Sequence, residues 1–337
     1  MFQLNKMIFL NSLILGTLIS ISSYSWMTMW MGLEINLLSI IPLMNSSMNS
    51  YSTESSIKYF LTQALASLIL MFSVILMLNL NEIINPLMNQ LMLWMMNSAL
   101  LTKLGAAPFH FWLPEVMEGL SWMNCLILLT WQKIAPLILM MNNKCSSNFI
   151  TFVSLTSIMM GSISMINQIS LRKILAFSSI NHLGWMIMAT LVSFSIWLTY
   201  FCIYSLLTIT MIFLFKKTKS FYIKQLSNSL NKKKMIKMLF MLNLLSLGGL
   251  PPFLGFLPKW MIINSLSQNE MVLETIIMII LSLISLYMYI HLSYISIITQ
   301  TTESKIPTFN KQNLLISSLS LLSLNLILIS TFLLNSL

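Results

Sequence analysis

Four ionisable residues stand where the flanking sequence is almost wholly apolar: Glu34 in MGLEINLLSIIPL, Lys103 in TKLGAAPFHFWLPE, Lys133 in WQKIAPL and Lys259 in LSLGGLPPFLGFLPKW. A carboxylate and amines set in hydrocarbon have two uses. They can lock helices together as ion pairs. They can also pass protons, because taking an ammonium out of water without a full counter-charge disfavours its charged form. Three cations against one anion exceed what a one-to-one Glu–Lys lock can absorb, which favours proton exchange. His182, in SSINHLGWM, carries a ring that titrates at about 6.5 when unperturbed, so it can join such a relay or simply pack between helices. His110, in the Lys103 segment, can link that lysine to solvent. His291 reads as a packing residue, and Glu115 and Glu118 as solvated or capping residues of a loop.

The elements that must position these groups are transmembrane helices. Of 337 residues, 57% are apolar and 8% charged, whereas a water-facing domain usually carries about 25% charge. That excludes a cytosolic enzyme, a nucleic-acid binder and a disordered regulator. Crossing a hydrocarbon core of about 30 Å takes about 20 residues of helix. Spans of that scale run 7–22, 26–44, 57–78, 87–113, 120–141, 149–167, 174–192, 194–215, 238–266, 273–298 and 314–334. The fold class is therefore all-α, a polytopic bundle of about eleven helices, with Glu34 and Lys133 deep in their spans.

Loop charges sort with this count. Lys6, Lys58, Arg172, Lys173, eight lysines from Lys216 to Lys237, Lys305 and Lys311 fall on the side shared with the N-terminus, and Lys144 alone on the other. Positive residues stay on the negative side of a membrane, so the N-terminus is expected there and the C-terminus opposite. The +10 net charge reads as a topology signal rather than a lipid-headgroup site, with lipids as general partners of the spans.

Two lysines lie beside helix breakers. Glycine loosens the helical ladder and proline removes a donor, so both Gly/Pro-rich segments should interrupt their helices; Pro136 follows Lys133 as well. The segments echo each other, Leu104-Gly105-x-x-Pro108 against Leu247-Gly248-x-x-Pro251, with Leu113-Pro114 against Leu257-Pro258. Five spans separate them, which predicts inverted-topology repeats over 7–141 and 149–298, two or three discontinuous helices, and an extra C-terminal helix at 314–334. The whole of 1–337 is one membrane domain in this reading.

Cys125, Cys145 and Cys202 are too scattered for an iron–sulfur site or a CxxC motif. Neither GxGxxG after a strand nor GxxxxGK[ST] occurs. No metal, haem or nucleotide site is expected in this chain.

Taken in order, the five segments around Glu34, Lys103, Lys133, His182 and Lys259 resemble the subunit 2 family of NADH–ubiquinone oxidoreductase, one of the antiporter-like membrane subunits of respiratory complex I. The Met-rich, AT-biased composition suggests an insect or related invertebrate member. The resemblance implies a proton-translocating role along a midplane axis of Glu34, Lys103, Lys133 and Lys259, with Glu34 pairing Lys103; His182 and His110 join it as candidates from the residue reading above. It implies FMN, iron–sulfur clusters and ubiquinone in other subunits and none in this chain. Neighbouring membrane-arm and antiporter-like subunits are the implied partners. It also implies the mitochondrial inner membrane, with the N-terminus in the matrix and the C-terminus in the intermembrane space. Bacterial members have fourteen helices, so this chain resembles the shortened animal form. Two other uses fit the same residues: a subunit of a cation/proton antiporter without electron transfer, and a purely structural membrane subunit.

Overall fold

The apolar runs become helices because a chain in hydrocarbon must satisfy every backbone group within itself. The computed structural model describes residues 2–45, 49–80, 86–143, 146–230 and 234–298. It holds fourteen helices among them: α1 Phe2–Ser22, α2 Trp26–Met44, α3 Ser50–Leu80, α4 Pro86–Leu104, α5 Trp112–Gly119, α6 Trp122–Leu129, α7 Trp131–Asn142, α8 Ser147–Met165, α9 Leu171–Val192, α10 Phe194–Thr218, α11 Ile223–Leu230, α12 Lys234–Gly248, α13 Phe256–Gln268 and α14 Val272–Ile298. Extended pairing among the described residues is limited to an isolated bridge between Ser170 and Tyr222. Eight helical segments are long and apolar enough to cross a bilayer. The pairs α4–α5 and α12–α13 supply two interrupted crossings, which makes ten of the eleven expected spans. The eleventh, 314–334, lies outside the described residues, as do Lys305 and Lys311.

Serine-rich spans survive in oil because their hydroxyls bond back to the preceding turn. Ser39 donates to the Asn36 carbonyl, Ser73 to Leu70, Ser157 to Ser154 and Ser178 to Leu175, each at 2.7–2.8 Å.

The described chain forms two compact units, Met1–Ser157 and a second from Ile158 onward. In the first, α1 and α2 form a hairpin whose backbones nearly touch. A Cβ on Gly32 would lie 2.6 Å from the Ser20 nitrogen, and one on Gly16 3.0 Å from the Asn36 nitrogen. Small residues spaced four apart on both helices allow that approach. In the second unit α9 is the central helix, buried on all faces from Ile174 to Ala189. Its close neighbour is α8, where a Cβ on Gly161 would meet the Asn181 nitrogen at 2.6 Å. At one end of α9, Leu171 N–H donates to Phe221 and Ile223 N–H to Ile169, and the Arg172 guanidinium sits 4.7 Å from the Phe221 ring centre. The Arg172–Lys173 turn and the Lys216–Lys224 stretch therefore lie on the same side of this unit, as the charge sorting expects.

Glu115 and Glu118 are on α5 and not in a loop. Glu115 and Glu54 both lie 3.0 Å from Lys58 Nζ in an exposed ion-pair group that ties α5 to the start of α3.

Candidate functional site

Each of the three span lysines occupies the first or last turn of a helix beside an interruption. Lys103 is in the last turn of α4, Lys133 in the first turn of α7 and Lys259 in the first turn of α13. All are buried, with relative exposures of 8%, 1% and 6%. In a bilayer core each such charge costs about 2.5–3.5 kcal/mol on insertion scales, so the chain carries them against its own folding preference.

The two Gly/Pro breaks share one construction, residue by residue. Gly105 N–H donates to the Leu101 and Thr102 carbonyls, Ala106 N–H to Leu101, Phe109 N–H to Ala106 and Leu113 N–H to His110. The same five bonds recur as Gly249 to Leu245 and Ser246, Leu250 to Leu245, Phe253 to Leu250 and Leu257 to Leu254. Gly105 and Gly249 have φ of +73° and +80°, the left-handed conformation that ends a helix at glycine. This places Gly105 on Gly249 and Pro108 on Pro252, one residue from the Gly248 and Pro251 match expected from the sequence. In this register Leu247 stands at the place of Lys103, and Glu115 at that of Lys259. The cation precedes the break in one unit and follows it in the other.

The freed carbonyls are satisfied differently. In the first unit neutral donors reach them: Trp112 Nε1 to Thr102 at 3.0 Å, Gln63 Nε2 to Lys103 at 3.4 Å and Thr156 Oγ1 to Ala107 at 3.4 Å. In the second, Lys259 Nζ itself donates to the Gly248 carbonyl at 3.0 Å, capping α12 with a cation at its negative end. The third interruption is at Thr130, where Lys133 N–H turns back to the Thr130 carbonyl and Thr130 Oγ1 bonds to Leu126. Pro136 lies inside α7.

Within the first unit Lys103 lies in the field of Glu34 without a direct ion pair between them. Glu34 is half-buried, and its Oε1 is buried without a hydrogen-bond partner. A small polar cavity borders Lys103, lined also by Asn36, Tyr59, Gln63, Gln132 and Pro136, of about the size one ordered water fills. Gln132 Nε2 donates to Asn36 Oδ1 at 2.7 Å across it. Gln132 precedes Lys133 on α7, so the amides join the Lys103 cavity to the helix that carries Lys133. Glu34, Lys133 and His110 do not line this cavity. His110 is buried in the break and stacks on Phe111 at 4.5 Å. Sequence reasoning missed the amides; polar side chains in mid-span, Gln63 and Gln132 among them, were the signal.

In the second unit His182 Nδ1 is 2.9 Å from the Tyr200 hydroxyl, and its ring centre is 5.2 Å from that of Tyr204. Lys259 Nζ lies 5.8 Å from the Trp185 ring centre, one turn along α9 from His182. An open groove of about 370 Å³ runs between the start of α10 and the end of α13, lined by Ser195, Thr199, Trp260, Met261, Asn264 and Gln268; Trp260, the residue after Lys259, is on its wall and Lys259 is not. His291 is exposed and stacks on Tyr287. Among the described residues no group of three or more His, Cys, Asp or Glu can hold a metal ion.

Comparison with known proteins agrees with this architecture. Residues 23–285 match the family described as NADH:quinone oxidoreductase/Mrp antiporter, TM. The chain is 50% identical over 321 residues to NADH-ubiquinone oxidoreductase chain 2 of Anopheles gambiae, covering 95% of this chain and 94% of that one. It is 45% identical over 327 residues to that of Locusta migratoria, covering 95% and 93%. Among solved structures its fold is similar to a chain of respiratory complex I from Thermus thermophilus with bound aureothin, with a TM-score of 0.87, 22% identity and coverage of 98% and 79%. It is also similar to a chain of the Mrp complex from Dietzia sp. DQ12-45-1b, with a TM-score of 0.78, 14% identity and coverage of 96% and 74%. The chain belongs to the NADH:quinone oxidoreductase/Mrp antiporter family of transmembrane proteins, within its NADH-ubiquinone oxidoreductase chain 2 group.

Proposed function

We propose that this chain is a proton-translocating membrane-arm subunit of an NADH:ubiquinone oxidoreductase, and that Glu34, Lys103, Lys133, His182 and Lys259 carry the protons. One observation supports this above the rest: three lysines buried in apolar helices, each beside a helix interruption. Broken helices in a membrane mark sites where ions bind and conformation changes. Lys103 gains and loses its pairing with Glu34, and the neutral amides and water between them pass the change to Lys133. His182 and Lys259 form the segment in the second unit, and Lys259 exchanges with the far compartment on the side where the neighbouring Trp260 lines an open groove. His110, buried in the first break, is a secondary exchange group.

Flavin, iron–sulfur clusters and quinone belong to other subunits, and the energy arrives as a change in the charge states of this chain. Its place is the mitochondrial inner membrane, N-terminus in the matrix, C-terminus in the intermembrane space, among other membrane-arm subunits and lipids. The halves 7–141 and 149–298 are copies of one five-helix unit, supported by the common hydrogen bonds of their breaks.

The decisive measurement is protons moved per electron by the intact complex in sealed vesicles. Glu34→Gln and Lys103→Met should each lower that ratio while leaving ionophore-released electron transfer in place. A full ratio in both variants overturns the role. The likeness to an Mrp chain keeps a redox-free cation/proton antiporter as the second reading, and purification separates the two. A flavin- and iron–sulfur-containing assembly supports the first, a redox-free one the second.

A further inference from the structure

Between His182 and Lys259 the second unit holds a group of buried hydroxyls and amides. Tyr200, Tyr204 and Tyr289 are each about 2% exposed. Tyr200 is bonded to His182 Nδ1 at 2.9 Å. Tyr289, on α14, lies within electrostatic reach of both Tyr200 and Tyr204. Its ring packs where a side chain on Gly248 would go, Cδ2 standing 3.5 Å from that place. Gly248 is the residue whose carbonyl receives Lys259 Nζ. The tyrosines therefore reach from the histidine to the break that holds the lysine.

Three further polar atoms around this path are buried without a hydrogen-bond partner. Asn181 Nδ2 donates to Ser285 Oγ at 2.9 Å, but its Oδ1 is unmet. Trp185 Nε1 and Asn243 Nδ2 are unmet donors. All three residues are at most 2% exposed. Leaving such a group unsatisfied costs about 1–3 kcal/mol, and buried polar atoms that protein does not satisfy are commonly met by ordered water. One acceptor and two donors, on the two helices that carry His182 and lead to Gly248, suit bridging waters.

We infer that the Tyr200 and Tyr289 hydroxyls, with water held by Asn181, Trp185 and Asn243, form the proton path between His182 and Lys259. The inference rests on the proton-carrying reading above and names additional members of that path. The step balances as a relay. Protonated His182 gives its Nδ1 proton to the Tyr200 oxygen as the Tyr200 hydroxyl proton passes to a bridging water. The water and then Tyr289 repeat the exchange, and a neutral Lys259 Nζ takes up the last proton. Each tyrosine gains one proton and loses one, so neither is left charged.

Phenylalanine keeps the rings and removes only the hydroxyls. In the intact complex in sealed vesicles, the Tyr200→Phe/Tyr289→Phe double variant should lower the protons moved per electron and change the solvent deuterium isotope effect on pumping. Tyr287→Phe, the same change on the exposed face of α14, should alter neither. Full stoichiometry and an unchanged isotope effect in the double variant overturn the inference. If His182→Leu or Lys259→Met still lowers the ratio in that case, the proposed function stands and only this path is lost; if they too pump in full, the function fails with it. Should the double variant not assemble, Tyr200→Phe and Tyr289→Phe singly carry the test by the same ratio.

Discussion

Gly249 shows how tightly one residue can govern a buried lysine. Its φ is +80°, and a Cβ there would stand 3.0 Å from Lys259 Nζ and 3.1 Å from its Cδ. Gly249→Ala meets a backbone penalty of about 1–2 kcal/mol and crowds the lysine stem, so Lys259 must shift by a few tenths of an ångström against the Gly248 carbonyl. Gly248→Ala adds a methyl at an ordinary 3.5 Å from Tyr289. Proton pumping in vesicles should fall severalfold in the first variant and remain near native in the second. In the first unit, Gln132→Leu strands the Asn36 amide beside Lys103, at a cost of about 1–3 kcal/mol. Slower pumping with a lower thermal midpoint of the assembled complex is the expected outcome. The charged residues were legible in the sequence because charge in oil is costly and needs a reason. Asn36, Gln132 and the tyrosines were not, since a neutral amide or a tyrosine within a span also reads as packing or as an interfacial anchor.

At the scale of elements, hydropathy was sufficient to find the ten spans that lie among the described residues, and glycine and proline to find two breaks. The register of those breaks was not legible. Gly248-Gly249 and Pro251-Pro252 are doublets, so two alignments fit equally well until backbone conformation singles out Gly249 and the hydrogen bonds follow it. The interruption at Thr130 has no breaker of its own; a threonine bonding back to Leu126 and a proline six residues later share the work. Helix pairing at glycine was hidden too, because a glycine in a span shows nothing of the backbone it will face. Gly161→Leu should push α8 from α9 against a main-chain contact, an overpacking cost of about 1–3 kcal/mol or more. Reduced recovery of assembled complex on native gels is the check, with Ser164→Ala on the same helix as the near-neutral comparison.

For the whole molecule, sidedness is the property the charges encode. The turn bearing Arg172 and the stretch bearing Lys219 and Lys224 are joined by backbone hydrogen bonds at one end of the second unit, while α13 runs to Gln268 at the other. Lys219→Cys should react with a membrane-impermeant maleimide from the matrix side alone, and Gln268→Cys from the opposite side. Labelling of both from one side would undo the assigned orientation. Small as it is, the chamber beside Lys103 has a consequence for energy conservation. A membrane that stores a voltage cannot tolerate a standing file of water, since protons would run back down it and dissipate the gradient as heat. A compartment sized for about a single molecule holds no such file, so on the role proposed for Lys103 it would act as a circuit breaker that is open by default. On that proposal, conduction through this half would require the site to widen, and that requirement would insulate the resting complex against short-circuit.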